Sequence, residues 1–383
     1  MKKVLVLGGD GYIGWPTAMY LSNQGYEVVV VDNYLRRNLM HDLGVKPLFS
    51  SFDLEQRVKI WNELSSNTIR TFIGDLNEWD FVHNIFSNFL PDVVIHFAEQ
   101  PSAPYSMLDR KSASLTLRNN ILVTANLIFA VNEFNPDAHI IKLGTMGEYG
   151  TPNIDIEEGW IDIHHKGRSD KFLFPRQASS LYHTTKIMDT DLLWFYVRNW
   201  NLKVTDLMQG PVYGLFTHET LIDDRLLPFF SYDEIFGTVI NRFIIQAVVG
   251  HPLTVYGKGG QTRGYINIHD AIKCIELTIK TPAESGSLRI YNQFTEKFTV
   301  NTLANMIRDA AVEFGLDVNI NNITNPRSEQ EDHYYNPVHT GLSELGLQPT
   351  TFDSSVIQSL IAKVLHHKSD INIEAILKNI TWA

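Results

Sequence analysis

The sequence is poor in several features that would each point to a particular class of protein. Its 383 residues include one cysteine, Cys274, which excludes an internal disulfide framework and a zinc site built from cysteines. Basic residues number 32 against 43 acidic ones, and the net charge of −11 disfavours nucleic acid as the main partner. No run approaches the roughly 18 consecutive apolar residues that a membrane-spanning helix needs. We therefore expect a protein of a reducing compartment, with no nucleic-acid partner and no membrane span.

The remaining composition is that of an ordinary globular chain. Hydrophobic residues make up 44% of the sequence, which is enough for a chain of this length to bury a large core. A length of 383 residues predicts two domains at about 150 residues each. Met1-Lys2-Lys3 leads directly into a strand-like run, which argues against a signal peptide or a plastid transit peptide. The expected location is therefore the cytoplasm.

Short apolar runs alternate with amphipathic helical stretches through the first half of the chain. These runs cover residues 4–7, 27–31, 92–97, 139–143 and 204–209. Short, continuously apolar runs suit strands buried on both faces of a parallel sheet, and the helical stretches between them predict βαβ units. We predict an α/β protein in which residues 1–210 form a Rossmann-type, doubly wound parallel sheet. A smaller mixed α/β domain is expected over residues 211–383, interleaved with the first.

A glycine-rich turn follows the first strand and opens the first helix. Gly8 permits a tight turn, Gly11 lets a pyrophosphate approach the backbone, and Gly14 lets the helix pack closely on the strand. The amino terminus of that helix would face the phosphates with free N–H groups. Asp32 ends the second strand about 20 residues later, where a carboxylate accepts hydrogen bonds from ribose hydroxyls. The pattern predicts a dinucleotide site, and Asp32 favours NAD because it would repel the extra phosphate of NADP.

Three residues near these motifs permit more than one interpretation. Arg36 and Arg37 lie close to Asp32, so they leave NADP open as an alternative, or they belong to a solvated loop. Asp75 follows a strand-like run and either contacts the adenine or is an ordinary turn residue.

Tyr182 and Lys186 stand four residues apart in a helical pattern over 180–199, so their side chains share one face. A phenol with a pKa near ~10 is a poor base at neutral pH, and we expect the Lys186 ammonium and a cationic nicotinamide to lower that pKa. Tyr182 could then take the proton of a sugar hydroxyl while hydride leaves the same carbon. Lys186 would also bind the nicotinamide ribose. Thr145 ends the fourth strand, where its hydroxyl faces the crevice and can bond the same sugar oxygen.

These motifs resemble the extended short-chain dehydrogenase/reductase superfamily, whose members act mostly on nucleotide sugars. The turn Pro211 to Gly214 fits the same pattern, and Asn119 and Asn120 match an asparagine-rich helix that supports the site. Longer blocks at 102–107, 143–159 and 250–265 resemble the UDP-sulfoquinovose synthases, and this resemblance runs nearly end to end. It implies NAD as the cofactor, UDP-glucose and sulfite (or a protein-bound sulfur donor) as reactants, and a homodimer.

The reaction implied by the resemblance has four steps. Oxidation at carbon 4 of glucose acidifies the proton at carbon 5, and loss of that proton with the 6-hydroxyl leaves a conjugated enone. Sulfite adds at carbon 6, and the retained NADH then returns hydride to carbon 4.

Sugar 4,6-dehydratases place Asp-Glu directly after the threonine, where this chain has Met146 and Gly147. His183 is our candidate acid–base group at carbons 5 and 6, with a packed helix histidine as the alternative. Glu148 could serve instead, or could be structural.

The carboxyl-terminal blocks are expected to hold the UDP. Arg263 and Arg327 are planar, permanently charged groups that suit a diphosphate, and residues 254–256 resemble a uracil-binding strand. Pro101 stands where the family usually has arginine, so any contact of that arginine with the sulfur donor is missing here. Two alternatives stay open: an NAD-dependent UDP-sugar 4-epimerase or 4,6-dehydratase, and a non-catalytic NAD-binding regulatory protein.

The residues predicted for each part of the site form three sets, with no metal site among them. The catalytic set is Thr145, Tyr182, Lys186 and His183. The cofactor-binding set is Gly8, Gly11, Tyr12, Ile13, Gly14, Asp32, Asn33, Arg36, Asp75, Leu76, Asn119, Tyr182, Lys186 and Val212. The substrate-binding set is Tyr105, Thr145, Gln209, Arg242, Thr254, Tyr256, Gln261, Arg263 and Arg327.

Overall fold

The computed structural model describes residues 1–325 and 333–377 as alternating strands and helices. The strands are β1 Lys3–Leu7, β2 Glu27–Asp32, β3 Ile69–Ile73, β4 Val93–His96, β5 His139–Thr145, β6 Trp160–His165, β7 Arg168–Leu173, β8 Lys203–Gln209, β9 Val212–Tyr213, β10 Leu253–Tyr256, β11 Thr262–Asn267, β12 Ser287–Gln293, β13 Glu296–Thr299 and β14 Ile320–Ile323. The helices are α1 Gly14–Asn23, α2 Leu35–Asp42, α3 Leu54–Leu64, α4 Trp79–Phe89, α5 Ala103–Ser106, α6 Arg110–Phe134, α7 Leu181–Trp200, α8 Val239–Val249, α9 Ile268–Lys280, α10 Val300–Ala311, α11 Gly341–Glu344, α12 Ser354–His366 and α13 Ile373–Leu377.

Seven parallel strands form the central sheet, in the order β12-β8-β5-β4-β1-β2-β3. The chain builds outward from β1 to β3 in one direction and then from β4 to β12 in the other. The strand order therefore reverses between β1 and β4, and open α/β sheets bind ligands outside the carboxyl ends of the strands at such a point. The predicted Rossmann-type sheet is confirmed, and the five apolar runs correspond to β1, β2, β4, β5 and β8.

Both faces of the sheet are covered, which explains why its strands are continuously apolar. In β1, Val4 and Val6 pack with residues of α1, α3 and α9, whereas Leu5 and Leu7 pack with residues of α4, α6 and α7. Successive side chains of a strand point to opposite faces, so each face needs its own apolar set. The sheet thus separates two helical layers, as a doubly wound fold requires.

The helix α6 is long and apolar enough to cross a membrane by length and composition. Half of its most apolar stretch is nevertheless buried inside the protein, and the helix packs against α4 and α7. Burial of this kind is what a core helix of a sheet-flanking layer needs, so α6 gives only weak evidence for a membrane span.

A third hydrophobic cluster lies mainly in the second half of the chain and contains residues of α8, α10 and α12. Residues 253–256 form the strand β10, and α12 covers Ser354–His366. The helix α10 begins at Val300 and ends at Ala311, since the chain tightens there into a 3₁₀ turn closed by Gly315 at φ +66°. A sequence division near residue 210 stays a prediction, and the central sheet takes one strand, β12, from beyond that point.

Candidate active site

A cavity of about 980 Å³ opens at the carboxyl ends of the central strands. It brings together 22 of the predicted site residues, which come from both halves of the sequence. They are Gly8, Gly11, Tyr12, Ile13, Gly14, Asp32, Asn33, Arg36, Asp75, Leu76, Asn119, Thr145, Tyr182, His183, Lys186, Gln209, Val212, Arg242, Thr254, Tyr256, Gln261 and Arg263. A concave site of this size, with converging polar groups, suits a cofactor and a substrate bound side by side.

The glycine loop forms a close-packed cradle under one end of this cavity. Gly8 has φ +86°, and a Cβ there would lie 2.8 Å from the backbone nitrogen of Ala98. A Cβ at Gly14 would lie 2.1 Å from the carbonyl oxygen of Gly8. Larger residues at either position would push the loop out of place, whereas glycine leaves room for the amino terminus of α1 to face a pyrophosphate. The cradle therefore fits a dinucleotide.

Asp32 lies at the end of β2 with its carboxylate facing this cradle. Its two oxygens accept hydrogen bonds from the backbone N–H groups of Asp10 at 2.9 Å and Tyr34 at 2.7 Å. Burial raises the pKa of Asp32 to about 6, with the neighbouring Asp10 carboxylate adding to the rise. The ionised carboxylate accepts hydrogen bonds from ribose hydroxyls on both oxygens, whereas protonation converts one of these acceptors into a donor.

We expect NAD affinity to weaken as the pH falls through about 6, because Asp32 then takes up a proton and loses an acceptor. The dissociation constant of NAD, measured by titration calorimetry, should rise about tenfold per pH unit below that value. Asp32→Asn should bind NAD weakly with little pH dependence over the same range. A wild-type affinity that stays constant between about pH 7 and 5 would contradict this role.

Arg37 is one of the two arginines that left NADP open as an alternative cofactor, and it belongs to a charge cluster behind the glycine loop. Arg37 Nε donates to Asp10 Oδ2 at 2.6 Å, and the buried Arg57 Nη2 donates to Asp10 Oδ1 at 2.5 Å. Arg36 Nη2 donates to Ser231 Oγ at 3.0 Å. Both arginines near Asp32 therefore have protein partners, and Arg37 is tied to a carboxylate instead of a phosphate. Our sequence reasoning missed Asp10, although an acidic residue inside a phosphate-facing loop is a usable signal for a buried counter-ion.

The residues expected around the adenine and the ribose form one hydrogen-bonded chain. Asn33 Nδ2 donates to Asp75 Oδ1 at 3.4 Å, and the same oxygen accepts the N–H of Asn77 at 2.9 Å. Asn77 Nδ2 in turn donates to Asn119 Oδ1 at 3.4 Å, and Asn119 Nδ2 donates to Asn120 Oδ1 at 3.2 Å. Asp75 is thus a turn residue that also lines the cavity, and its contact with the adenine stays a prediction.

Thr145, Tyr182 and Lys186 reach the cavity from two adjacent elements. Thr145 is the last residue of β5, and its hydroxyl accepts the N–H of Gly147 at 3.2 Å. The helix α7 begins at Leu181 because the Ser180 side chain caps it. This start places Tyr182 and Lys186 one turn apart on the face that lines the cavity. The geometry has the parts of a proton-transfer site in the same cavity as the glycine loop.

The protein's own groups raise the pKa of Tyr182, whereas the sequence led us to expect that Lys186 lowers it. Burial raises the pKa of Tyr182 above its ordinary value, and the carboxylates of Glu99 and Glu148 raise it further. Lys186 Nζ donates to Glu99 Oε1 at 2.5 Å, so its charge is already paired. Sequence reasoning missed Glu99, although a carboxylate just beyond the end of a central strand is a usable signal.

His183 packs directly over the backbone of Gly147. A Cβ at Gly147 would lie 2.4 Å from the Nε2 atom of His183. The imidazole therefore occupies the space that any side chain at position 147 would need. The ring lies beside Tyr182, with 5.3 Å between the two ring centroids. A glutamate at position 147 would collide with the His183 ring, so glycine at this position and histidine at 183 go together.

Glu148 is buried away from the cavity, which favours the structural role among the two that the sequence left open. Its Oε1 lies 3.4 Å from Lys142 Nζ and accepts the N–H of Thr145 at 3.3 Å. Lys142 Nζ also lies 3.2 Å from Asp206 Oδ2 and donates to Thr190 Oγ1 at 2.6 Å. This fully buried cluster joins β5, β8 and α7 next to the predicted catalytic residues, and it was not predicted from the sequence.

The other end of the cavity carries the residues expected to hold UDP. Arg242 donates to Tyr256 Oη at 2.8 Å and to Thr254 Oγ1 at 3.0 Å. Gln261 Nε2 donates to the carbonyl oxygen of Tyr256 at 3.2 Å. These contacts join α8 to β10. Gln209 Nε2 donates to Gln293 Oε1 at 2.8 Å, and Arg263 Nη1 lies 2.9 Å from His333 Nε2.

Two predicted substrate residues are not placed in the cavity wall. Arg327 lies outside the described residues. Tyr105 is buried and stacks on Phe236 with 6.3 Å between the ring centroids. Of these two rings, Phe236 lines the cavity and Tyr105 lies behind it. A contact of Tyr105 with substrate is therefore not supported by its position.

Comparisons with known proteins agree with this geometry. Residues 4–292 match the NAD dependent epimerase/dehydratase family. The UDP-sulfoquinovose synthase of Spinacia oleracea is 47% identical over 381 residues, covering 100% of this chain and 79% of the relative. The synthase of Sulfolobus acidocaldarius is 42% identical over 368 residues, covering 96% and 93%. The chain belongs to the UDP-sulfoquinovose synthase family.

Solved structures confirm the fold of this UDP-sulfoquinovose synthase family member. The UDP-glucose 4-epimerase of Bifidobacterium longum, in complex with NAD+ and UDP, superposes with a TM-score of 0.72 at 19% identity and covers 97% of this chain. That of Thermotoga maritima, with UDP-glucose, gives a TM-score of 0.70 at 21% identity and covers 96%. As a member of an NAD-dependent family, the protein is an enzyme whose cofactor is NAD.

Proposed function

We propose that this enzyme converts UDP-glucose and sulfite to UDP-6-sulfo-6-deoxyglucose, with water as the second product. The observation that carries the proposal is the imidazole of His183 packed over Gly147 beside Tyr182. The site therefore keeps the groups for oxidation at carbon 4 and has a histidine where a plain 4,6-dehydratase would have a carboxylate. The identities of 47% and 42% to two UDP-sulfoquinovose synthases support the same conclusion.

Each proton in the reaction is assigned to a side chain of the cavity. The glycine loop and Asp32 would hold NAD, which would supply the hydride acceptor for carbon 4 and, once reduced, the hydride donor. The Tyr182 phenolate takes the proton of the 4-hydroxyl, and Thr145 holds the same oxygen by a hydrogen bond. His183 removes the proton at carbon 5 and delivers a proton to the departing 6-hydroxyl, because an imidazole exchanges protons near neutral pH. Sulfite, arriving as hydrogen sulfite, then adds at carbon 6, and its proton passes through His183 to carbon 5 of the enolate so formed. Tyr182 gives its proton back to oxygen 4 as hydride returns to carbon 4.

We propose that one end of the cavity binds NAD and the other binds UDP, and that each end is formed by one half of the sequence. Residues before about 210 would hold NAD through Asp32 and the glycine loop. Residues after that point would hold UDP, with Arg242 and Arg263 as the cationic groups of the cavity wall. Pro101 lines the cavity without a charge, so we expect the sulfur donor to bind without an arginine at that position.

The deciding experiment is incubation of the purified enzyme with UDP-glucose and sulfite, followed by mass spectrometry. A sulfonated UDP-hexose is the expected product, formed without net consumption of NAD. UDP-galactose as the sole product would establish an epimerase, and a 4-keto-6-deoxy sugar alone would establish a dehydratase. Replacing sulfite by a thiol-bound sulfur donor in a parallel reaction tests which donor the enzyme accepts.

His183→Asn should slow the chemistry at carbons 5 and 6 and leave the oxidation at carbon 4 intact. Loss of a positioned acid–base group costs about 10²- to 10⁴-fold, so formation of the sulfonated product should fall by that factor. Exchange of hydride at carbon 4, followed with deuterated UDP-glucose, should continue because Tyr182 and Lys186 are intact. His164→Asn, on the exposed strand β6, is the matched control. Equal losses in both measurements would mean that His183 acts on oxidation instead.

We also propose that the enzyme is a cytoplasmic homodimer. The helices α6 and α7 pack together and expose five large apolar side chains, which are Leu117, Leu122, Phe129, Met188 and Phe195. Exposed apolar groups concentrated on adjacent helices favour burial against a second copy. Sedimentation should give about twice the chain mass of 43.7 kDa. Phe195→Glu should give the monomer, whereas Val312→Glu, an exposed site beyond α10, should leave the dimer intact.

A further inference from the structure

Glu99 is a buried carboxylate in the wall of the active-site cavity that the proposed chemistry leaves without a task. It lies just beyond the carboxyl end of β4, and its side chain is only 4% exposed. Its Oε1 accepts a hydrogen bond from Lys186 Nζ at 2.5 Å. Burial of a carboxylate is costly unless a cation or several hydrogen bonds compensate it, so this contact needs a reason.

Lys186 is the cation that compensates Glu99. The nearest alternative is His96, whose Nε2 lies 3.5 Å from Glu99 Oε1, but burial lowers the pKa of His96 to about 4 and keeps its ring neutral at physiological pH. Burial alone would lower the pKa of Lys186, but the carboxylates of Glu99, Asp189 and Glu148 together outweigh this effect and raise it, with Glu99 contributing most among them. Lys186 therefore stays charged and is held in one place.

The second oxygen of Glu99 bears on the Tyr182 phenol. Glu99 Oε2 is buried and has no hydrogen-bond partner among the described residues. Lys186 therefore compensates the carboxylate from the Oε1 side only, inside a low-dielectric wall where charges act over longer distances than in water. After burial itself, Glu99 makes the largest contribution to the raised pKa of Tyr182. The charged or titratable groups that surround the phenol are Glu99 and His96 next to β4, Lys142 and Glu148 from β5 and the turn after it, and His183, Lys186 and Asp189 from α7.

We propose that Glu99 is a positioning residue, which fixes the Lys186 ammonium and retains the proton on the Tyr182 phenol between the two hydride transfers. The proposal rests on the proposed function, because only a reaction with a long-lived 4-keto stage needs that proton kept. The proton leaves the 4-hydroxyl, stays on Tyr182 while the carbon–sulfur bond forms, and returns to oxygen 4. During this interval the nicotinamide is uncharged, so the protein itself must disfavour ionisation of the phenol.

The test is a direct titration of residue 182 in the full-length protein without added NAD or substrate. Tyr182 is replaced by 3-fluorotyrosine, whose phenol is more acidic and is followed by fluorine NMR as the pH is raised. Glu99→Gln keeps the shape of the side chain and removes its charge, so the midpoint should fall by about 1 pH unit. Glu99→Asp keeps the charge and should leave the midpoint close to the parent value. An unchanged midpoint in Glu99→Gln overturns the proposal.

Two further variants keep the test decisive. Glu219→Gln is the matched control, because Glu219 is also buried, accepts one hydrogen bond from Asn23, and has one oxygen without a partner among the described residues. Its midpoint should equal that of the parent. Lys186→Gln leaves Glu99 uncompensated, so the midpoint should rise, and a fall would overturn the proposal even if Glu99→Gln did not fold. The titration needs no sulfite and no product, so its result is separate from that of the sulfonation assay.

Discussion

Tyr182→Phe should reduce turnover by about 10³-fold while the affinity for NAD stays within about twofold of the wild type. The substitution removes only the phenolic oxygen that would take the proton of the 4-hydroxyl, because phenylalanine keeps the ring and its packing. Without this group the hydroxyl proton has no acceptor as hydride leaves carbon 4, so the first step of the reaction is blocked. The measurement is the rate of formation of the sulfonated nucleotide sugar, together with NADH absorbance in a single turnover.

Tyr26→Phe is the matched control for this experiment. Tyr26 directly precedes β2 and therefore lies at the amino edge of the sheet, opposite the cavity. Its loss of a hydroxyl should leave turnover within about twofold of the wild type, as expected for a change outside the reacting groups. If Tyr182→Phe retained full activity, another residue would have to accept the 4-hydroxyl proton, and the assignment of α7 as the catalytic helix would be wrong.

Lys142→Met should lower the free energy of unfolding by about 3–5 kcal/mol. Methionine is similar in length to lysine, so the main change is the loss of a buried cation between Glu148 and Asp206, both of which are fully buried. Burial raises the pKa of Glu148 and Lys142 opposes that rise, so without Lys142 this carboxyl group becomes still harder to ionise. The midpoint of denaturant unfolding, followed by circular dichroism, measures the loss.

A surface ion pair on the neighbouring strand provides the comparison. Lys203 at the start of β8 pairs with Asp137 at 2.7 Å, but the Asp137 side chain is 85% exposed. Exposed pairs contribute about 0–1 kcal/mol, so Lys203→Met should hardly change the unfolding midpoint. Similar losses for Lys142→Met and Lys203→Met would show that the buried cluster contributes no more than a surface pair.

The parts of the structure that could be predicted are those that depend on local sequence patterns. The glycine spacing at 8, 11 and 14, the position of Asp32 at a strand end, and the Tyr182–Lys186 spacing each reflect geometry within one element or its immediate neighbour. Because the carboxyl ends of parallel strands converge, residues at several such ends could be placed in one cavity without knowing any distance.

The parts that could not be predicted depend on contacts between distant segments. Glu99 is separated from Lys186 by 87 positions, and only the fold, which brings the segment after β4 next to α7, makes them a pair. The same is true of Lys142 and Asp206, which are separated by 64 positions. The raised pKa of Tyr182 is missed for this reason, since sequence spacing shows the lysine one turn away but not the carboxylate that compensates it. The burial of Tyr105 behind Phe236 could not be foreseen, because a block that resembles a family contains packing residues as well as contact residues.

The strand β12 has a consequence for any attempt to divide this chain. It contributes residues 287–293 to one end of a sheet whose other strands all come from the first 209 residues. A fragment that stopped near residue 210 would leave β8 with a row of unpaired backbone groups along its outer side. Such an open border recruits strands from other molecules, so the fragment should aggregate instead of folding as an independent nucleotide-binding module.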